Sequence, residues 1–119
     1  LNRQPDEAIR RFKTIPVASV FPISKMRLAV AYVRGGRRKD ALKIAEDLQE
    51  RFRQGYVSPF CIAGIYSALG EKDRAFQWLD KAYDDRDSWL IFIQQSPGFE
   101  TLRSDRRFGE LLKKIGIQG

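Results

Sequence analysis

Apolar residues recur every three or four positions along most of the chain, which is the period of a helix with one buried face. Two such faces follow each other in the middle of the chain: Ile62, Ala63, Tyr66 and Leu69, and then Ala75, Phe76, Leu79, Ala82 and Tyr83. Ser58 and Pro59 are typical of the N-cap and first position of a helix, and Gly70 is typical of a helix end. The pattern therefore predicts two helices joined by a short turn, the second beginning near Asp73.

The same arrangement occurs once before in the chain, 34 residues earlier. We call this constant distance the repeat offset. Five pairs of positions at this offset are identical: Ser24 and Ser58, Ala29 and Ala63, Tyr32 and Tyr66, Gly36 and Gly70, and Ala41 and Ala75. The recurrent alanines let two helix axes approach closely. We therefore predict an all-α fold of antiparallel helix-pair repeats, with residues 22–55 as one repeat and residues 56–88 as the next.

These positions resemble those of the tetratricopeptide repeat (TPR) family, whose repeat length equals this offset. The second repeat matches the family pattern at Ala63, Tyr66, Gly70, Ala75, Leu79 and Ala82, and the first at Ala29, Tyr32, Gly36, Ala41 and Ala45. The chain departs from the family pattern at three positions. Where the family usually has Trp, the two repeats have Lys25 and Pro59, and where it usually has Pro, they have Arg53 and Asp87. The first repeat also has Leu48 in place of the last Ala. The resemblance implies an α-solenoid with a concave groove.

Both flanks of the two repeats are predicted to continue the array. Residues 5–12 resemble the second helix of a preceding repeat, which makes residues 1–20 a partial repeat and a linker. Residues 89–119 predict a short apolar helix, which Asp87 or Ser88 begins and residues 96–98 end, followed by a capping helix. Ser104 or Asp105 would cap that last helix, whose buried stripe is Phe108, Leu111, Leu112 and Ile115.

The closing segment resembles the end of repeat arrays in bacterial signalling proteins, and such a cap is needed because a last repeat exposes an apolar face. We therefore expect one TPR-like domain over residues 1–119, of bacterial origin. Because the chain begins with Leu1 and not with Met, we also expect it to be part of a longer protein with a regulatory role.

Charge is unevenly distributed along the chain. It carries 22 lysines and arginines against 15 aspartates and glutamates, and residues 1–55 hold 13 of the former and 6 of the latter. The densest basic cluster is Arg37, Arg38 and Lys39 beside Gly35 and Gly36. Such a surface suits nucleic acid, an acidic peptide or an acidic neighbouring domain, although it is also what a solvated helix face looks like.

Composition argues against most catalytic chemistry. The chain has no histidine and one cysteine, which excludes Ser-His-Asp triads, Cys-His pairs and thiolate zinc sites. Gly35-Gly36 is not followed by the Lys-Ser/Thr of a phosphate loop. The acidic run at residues 84–87 lacks the spacing of a calcium loop. Cys61 is interpreted as a structural residue. We expect no enzyme activity, no catalytic residue, no cofactor and no metal.

No apolar run approaches the roughly 18 residues of a membrane span. The segment 1–20 lacks the apolar core of a secretory signal. We therefore expect no membrane-spanning segment and a cytoplasmic location, with a periplasmic one left open if a membrane-anchored protein contains the chain.

A protein or peptide partner in the concave groove is the first hypothesis for function. The groove positions implied by the resemblance are Ile23, Met26, Arg27, Val30, Val33, Arg34, Val57, Phe60, Gly64 and Ser67. Met26 and Phe60 would anchor the partner, Gly64 would allow close approach of its backbone, and Arg27 and Arg34 would select an acidic segment.

Three alternatives stand beside this hypothesis. A neighbouring helix or a sister subunit could cover the groove residues, since exposed apolar patches on monomers are rare. The chain could instead be a spacer or homo-oligomerisation element of a larger protein. A nucleic-acid surface at Arg37, Arg38 and Lys39 ranks last, because few aromatic residues interleave with those charges.

Overall fold

A computed structural model describes residues 22–55 and 57–116 of the chain. These residues form helices and no strand, which confirms the prediction of an all-α fold. The elements in chain order are α1 (Pro22–Arg34), α2 (Arg38–Gln54), α3 (Pro59–Ala68), α4 (Lys72–Asp84), the 3-10 helices η1 (Ser88–Phe92) and η2 (Glu100–Leu102), and α5 (Arg106–Ile115). The predicted partial repeat and linker at residues 1–20 lie outside the described residues.

The turns between α1 and α2 and between α3 and α4 have the same backbone geometry. Gly36 and Gly70 have φ angles of +79° and +82°, a left-handed conformation that glycine adopts at little cost. The hydrogen bonds of the turns correspond at the repeat offset: Arg37 N to Tyr32 O (2.7 Å) with Glu71 N to Tyr66 O (2.9 Å), and Gly36 N to Val33 O (3.0 Å) with Gly70 N to Ser67 O (2.9 Å). Both glycines therefore end a helix as the sequence predicts.

Helix α3 lies at the centre of the described part of the chain. It packs against α1, α2, α4 and η2, and every residue from Pro59 to Ser67 is buried. A helix that is apolar on all sides is stable only when other elements cover all of its faces. The small residues Ala63 and Gly64 leave room for that close packing.

The start of α3 is capped from a distant part of the chain. The Ser58 side chain makes no cap hydrogen bond, contrary to the prediction, and its hydroxyl donates instead to Asp87 Oδ2. The same carboxylate accepts from Phe60 N (3.2 Å) and, through Oδ1, from Trp89 N (3.1 Å). Asp87 therefore caps both η1 and α3. The sequence offers Asp87 or Ser88 as the cap of η1, and the structure shows Asp87 in that role.

The last helix also has its predicted cap and buried stripe. Asp105 accepts a hydrogen bond from Arg107 N (2.9 Å), and Gly116 ends α5 with a φ angle of +83°. Phe108, Leu111 and Leu112 are buried and Ile115 is half-buried. The Arg107 guanidinium ion-pairs with Asp105 and with Asp73 of α4, each at 3.0 Å, and so ties α5 to the second helix pair.

Candidate functional site

The predicted groove residues lie on α1 and α3, apart from Val57, which precedes α3, and most of them are not open to solvent. Arg27 and Arg34 are exposed, and Ile23 and Val33 are half-buried. The remaining six are buried: Met26, Val30, Val57, Phe60, Gly64 and Ser67. The expectation that these six face an open groove is therefore wrong.

The segment Gly98–Thr101 of the same chain covers this face. Phe99 is fully buried, and its ring lies 4.9 Å from the ring of Phe60 between centroids. A Cβ at Gly64 would stand 2.5 Å from Met26 Sδ and 3.4 Å from the Phe99 ring. The absence of a side chain at Gly64 therefore lets Met26 and Phe99 pack against α3.

Hydrogen bonds fix the backbone of the covering segment to α3. The hydroxyl of Ser67 donates to Gly98 O (2.5 Å), and the hydroxyl of Thr101 donates to Ser67 O (2.8 Å). Gly98 has a φ angle of +99°, and a Cβ there would stand 2.9 Å from Val30 Cγ2 and 3.0 Å from Gly64 O. These contacts require glycine at position 98.

One of the two predicted groove arginines is paired with the covering segment. Arg34 Nη2 lies 3.2 Å from Glu100 Oε2, and both side chains are about half exposed. Glu100 also accepts from Gly98 N through Oε1 (3.0 Å). A surface pair of this kind contributes little to stability.

Sequence reasoning does not identify Gly98, Phe99, Glu100 and Thr101 as groove-contacting residues. It predicts only the end of a helix and the approach to the next one there. A glycine after Ser96-Pro97 followed by a lone aromatic residue is the available signal, since an aromatic residue in a turn-rich stretch needs a place to be buried.

Two of the three residues of the predicted basic cluster make contacts with other residues of the chain. Arg37 Nε lies 2.8 Å from Asp40 Oδ2, and its guanidinium lies 4.7 Å from the centre of the Tyr32 ring. Arg38 donates to Leu69 O (2.9 Å) and so joins the start of α2 to the second turn. Lys39 is exposed.

A cleft remains open between α2 and α4. Six residues line it: Gln49, Tyr66, Arg74, Gln77, Trp78 and Lys81. Its cavity volume is about 460 Å³. Tyr66 is buried and forms the floor, while Trp78 is half-buried and the two basic side chains are exposed. We refer to these six residues as the α2–α4 cleft.

Aromatic contacts position the side chains around this cleft. The rings of Phe52 and Trp78 meet edge to face, with centroids 5.3 Å apart. The Arg74 guanidinium lies 5.5 Å from the centre of the Tyr66 ring, and Lys81 Nζ lies 5.5 Å from the centre of the Phe52 ring. The amide of Gln49 donates to the Tyr66 hydroxyl. Sequence analysis assigns no function to these residues because their types are ordinary for helix surfaces.

A second open surface lies where η1 meets the ends of α4 and α5. Ile91 is 58% exposed, Phe92 45% and Tyr83 36%. Arg86, in the turn that follows α4, is the one described non-glycine residue with a positive φ angle, 56°. We refer to Tyr83, Ile91 and Phe92 as the η1 patch.

Burial and hydrogen bonds shift the pKa values of Cys61 and Asp105. Burial raises the pKa of the Cys61 thiol to about 12, so the thiol stays protonated. The Arg107 hydrogen bonds hold the pKa of Asp105 down, at about 2. Across residues 22–55 and 57–116, His, Cys, Asp and Glu form no group of three that could hold a metal ion. Within these ranges, too, every helix is too short or too polar to cross a membrane.

No family model, curated protein or solved structure matches this chain. The geometry of the described residues is therefore the basis for a proposal of function.

Proposed function

We propose that this chain is a protein-interaction scaffold of the TPR-like helical-repeat kind that binds its partner outside the concave face. The observation that carries the proposal is the α2–α4 cleft. Its lining includes the half-buried Trp78 and the exposed basic side chains of Arg74 and Lys81. Tryptophan and arginine are among the residue types most enriched where protein partners bind tightly.

The repeated turns support the helical-repeat part of this proposal. Gly36 and Gly70 end α1 and α3 with equivalent hydrogen bonds at the repeat offset, and each turn leads into a helix packed against the one before it. Such an arrangement builds an extended surface from short, similar units, which is how repeat proteins present binding sites.

The concave face is a poor candidate for the binding site because the chain already occupies it. Removing Phe99 from its place beside Phe60 would expose an aromatic side chain, at a cost of about 2–3 kcal/mol. It would also break the hydrogen bonds of Ser67 with Gly98 and Thr101. A partner would have to recover this free energy before it gained any affinity.

Selection from a random displayed peptide library tests the proposal. Folded wild-type chain is expected to enrich a family of related sequences. The Leu79→Asp variant serves as control because a charge at this fully buried position unfolds the chain and leaves the rest of its sequence unchanged. The proposal fails if no sequence is enriched on the wild type, or if the two chains enrich the same sequences.

Self-association is the second candidate function, and the η1 patch favours it. Three large apolar side chains stand more than a third exposed on adjoining elements. Grouped apolar residues of this kind are more typical of an interface than single exposed ones. The mass of the chain in solution, measured over a range of concentrations, separates this candidate from the first.

A further inference from the structure

We propose that the α2–α4 cleft binds an acidic peptide segment of a partner protein, with carboxylates of that segment on Arg74 and Lys81. This inference rests on the proposed function and names its site and the chemistry of its partner. It is carried by charge complementarity, because none of the six residues that line the cleft is acidic and two are basic.

Arg74 is positioned to receive a carboxylate. Its guanidinium lies over the Tyr66 ring at 5.5 Å from the centre. A guanidinium held near a ring face by the charge distribution of the ring keeps its N–H donors available for a carboxylate. Because Tyr66 is buried in the floor and held by the amide of Gln49, this platform is fixed before a ligand arrives.

Lys81 supplies the second positive charge about two helical turns along α4. Its ammonium lies 5.5 Å from the centre of the Phe52 ring, and Phe52 in turn meets Trp78 edge to face. Residues seven apart on a helix lie on the same side of it, so the two cations border the cleft together. A segment with carboxylates at suitable spacing would contact both.

The remaining groups of the cleft suit a peptide backbone. Gln49 and Gln77 carry amides, which donate and accept hydrogen bonds and so can pair with backbone N–H and C=O groups. The half-buried ring of Trp78 offers an apolar wall for a side chain of the segment. The cleft thus combines charge, backbone and apolar recognition.

Other occupants fit these observations less well. Nucleic acid binds through many phosphate contacts and stacked bases, whereas the cleft has two cations and one indole. The chain's own residues 1–20 carry four basic and two acidic side chains, so their net charge has the same sign as the cleft. A second copy of the chain has a net charge of +7 and is disfavoured for the same reason.

The test titrates library-enriched peptides against three full-length chains by fluorescence polarisation. The cleft variant is Arg74→Gln with Lys81→Gln, and the matched control is Lys43→Gln with Lys113→Gln, which loses the same charge at exposed positions outside the cleft. The enriched peptides are expected to contain more Asp and Glu than the input library. The cleft variant is expected to bind them about tenfold more weakly and the control as well as wild type.

A second readout locates the peptide on the cleft. The chain has two tryptophans, so Trp89→Phe leaves Trp78 as the only indole. Peptide at the concentration that half-saturates wild type is expected to shift the Trp78 emission, and to shift it far less when Arg74 and Lys81 are replaced. Circular dichroism before the titrations checks that all variants are equally helical.

Several results would overturn the inference while the proposed function stands. These are enriched peptides that are not acidic, equal weakening by the cleft and control variants, and no change in Trp78 emission. Displacement of the peptide by short single-stranded DNA at equal concentration would assign the cleft to nucleic acid. A dimer that the cleft variant abolishes would assign it to a second copy. Failure to enrich any peptide would instead contradict the proposed function itself.

Discussion

The ring of Phe99 lies 4.9 Å from the ring of Phe60, although the two residues are far apart in the sequence. Phe60 is the residue that the sequence singles out as an anchor for a partner, and the chain itself supplies the partner ring. The predicted groove residues Met26, Val57 and Phe60 are therefore part of the hydrophobic core. A partner would therefore find Phe60 already covered, whereas the α2–α4 cleft stays open.

Phe99→Ala should destabilise the chain strongly because it leaves a cavity beside Phe60 that the surrounding helices cannot fill. We expect a loss of about 3–5 kcal/mol in the free energy of unfolding. Urea denaturation followed by circular dichroism measures it. Phe92→Ala is the matched control, since Phe92 is 45% exposed and should lose less than about 1 kcal/mol. Equal losses would mean that the covering segment is not part of the core.

Gly98→Ala should cost more than Gly36→Ala, although both glycines have positive φ angles. At Gly36 the added methyl group meets open space, so only the backbone penalty of about 1–2 kcal/mol applies. At Gly98 it would also stand 3.0 Å from the backbone oxygen of Gly64, and we expect a total of about 3 kcal/mol. Urea midpoints of the two variants check the order, and a Gly98→Ala variant as stable as Gly36→Ala would contradict the tight approach.

Asp87→Ala should remove caps from α3 and η1 together. The substitution leaves the buried Phe60 N–H without an acceptor and removes the partner of the Ser58 hydroxyl. We expect a loss of about 2–3 kcal/mol in the free energy of unfolding. Asp85→Ala, an exposed acidic neighbour, is the control and should be nearly neutral. Thermal unfolding of both variants measures the difference.

Asp105 should contribute to stability in a way that depends on pH. Hydrogen bonds from the Arg107 side chain and backbone lower the pKa of this carboxyl from 3.8 to about 2 in the folded chain. A lowered folded-state pKa means that the contribution is complete above pH 3.8 and is lost as the pH falls toward 2.

Urea midpoints measured from pH 5 downward test this dependence. Asp105→Asn removes the titrating group, so its midpoint should fall less steeply than that of wild type over the lowest part of the range. Because the Arg107 side chain is 44% exposed, added salt should reduce the difference. Parallel acid profiles for the two chains would exclude this role.

The η1 patch should mediate any self-association of the chain. Sedimentation of wild type over a range of concentrations gives its mass. If the chain forms a dimer, Ile91→Asp with Phe92→Asp should make it monomeric, because two charges would have to be buried at the interface. A charge-matched pair at exposed positions outside the cleft, Gln54→Asp with Gln95→Asp, should leave the mass unchanged. A wild-type monomer at every concentration removes this second candidate.

Local sequence signals were sufficient for the helices and for the turns that join them. Pro59 begins α3, and Gly36 and Gly70 end α1 and α3, as predicted. The alanines and tyrosines that recur at the repeat offset are all buried. These features follow from side-chain periodicity and from backbone conformations that few residues adopt, and both act within a few positions along the chain.

The tertiary structure alone decided which face of the helices stays open. Residues 93–99 contain no regular helix, so no periodicity indicates where they lead the chain. Their path places Phe99 on Phe60 and Gly98 on Ser67, which covers these two predicted groove residues. The α2–α4 cleft depends in the same way on contacts such as Phe52 with Trp78. Residues that are ordinary along the sequence thus become a candidate site only when packing brings two helices side by side.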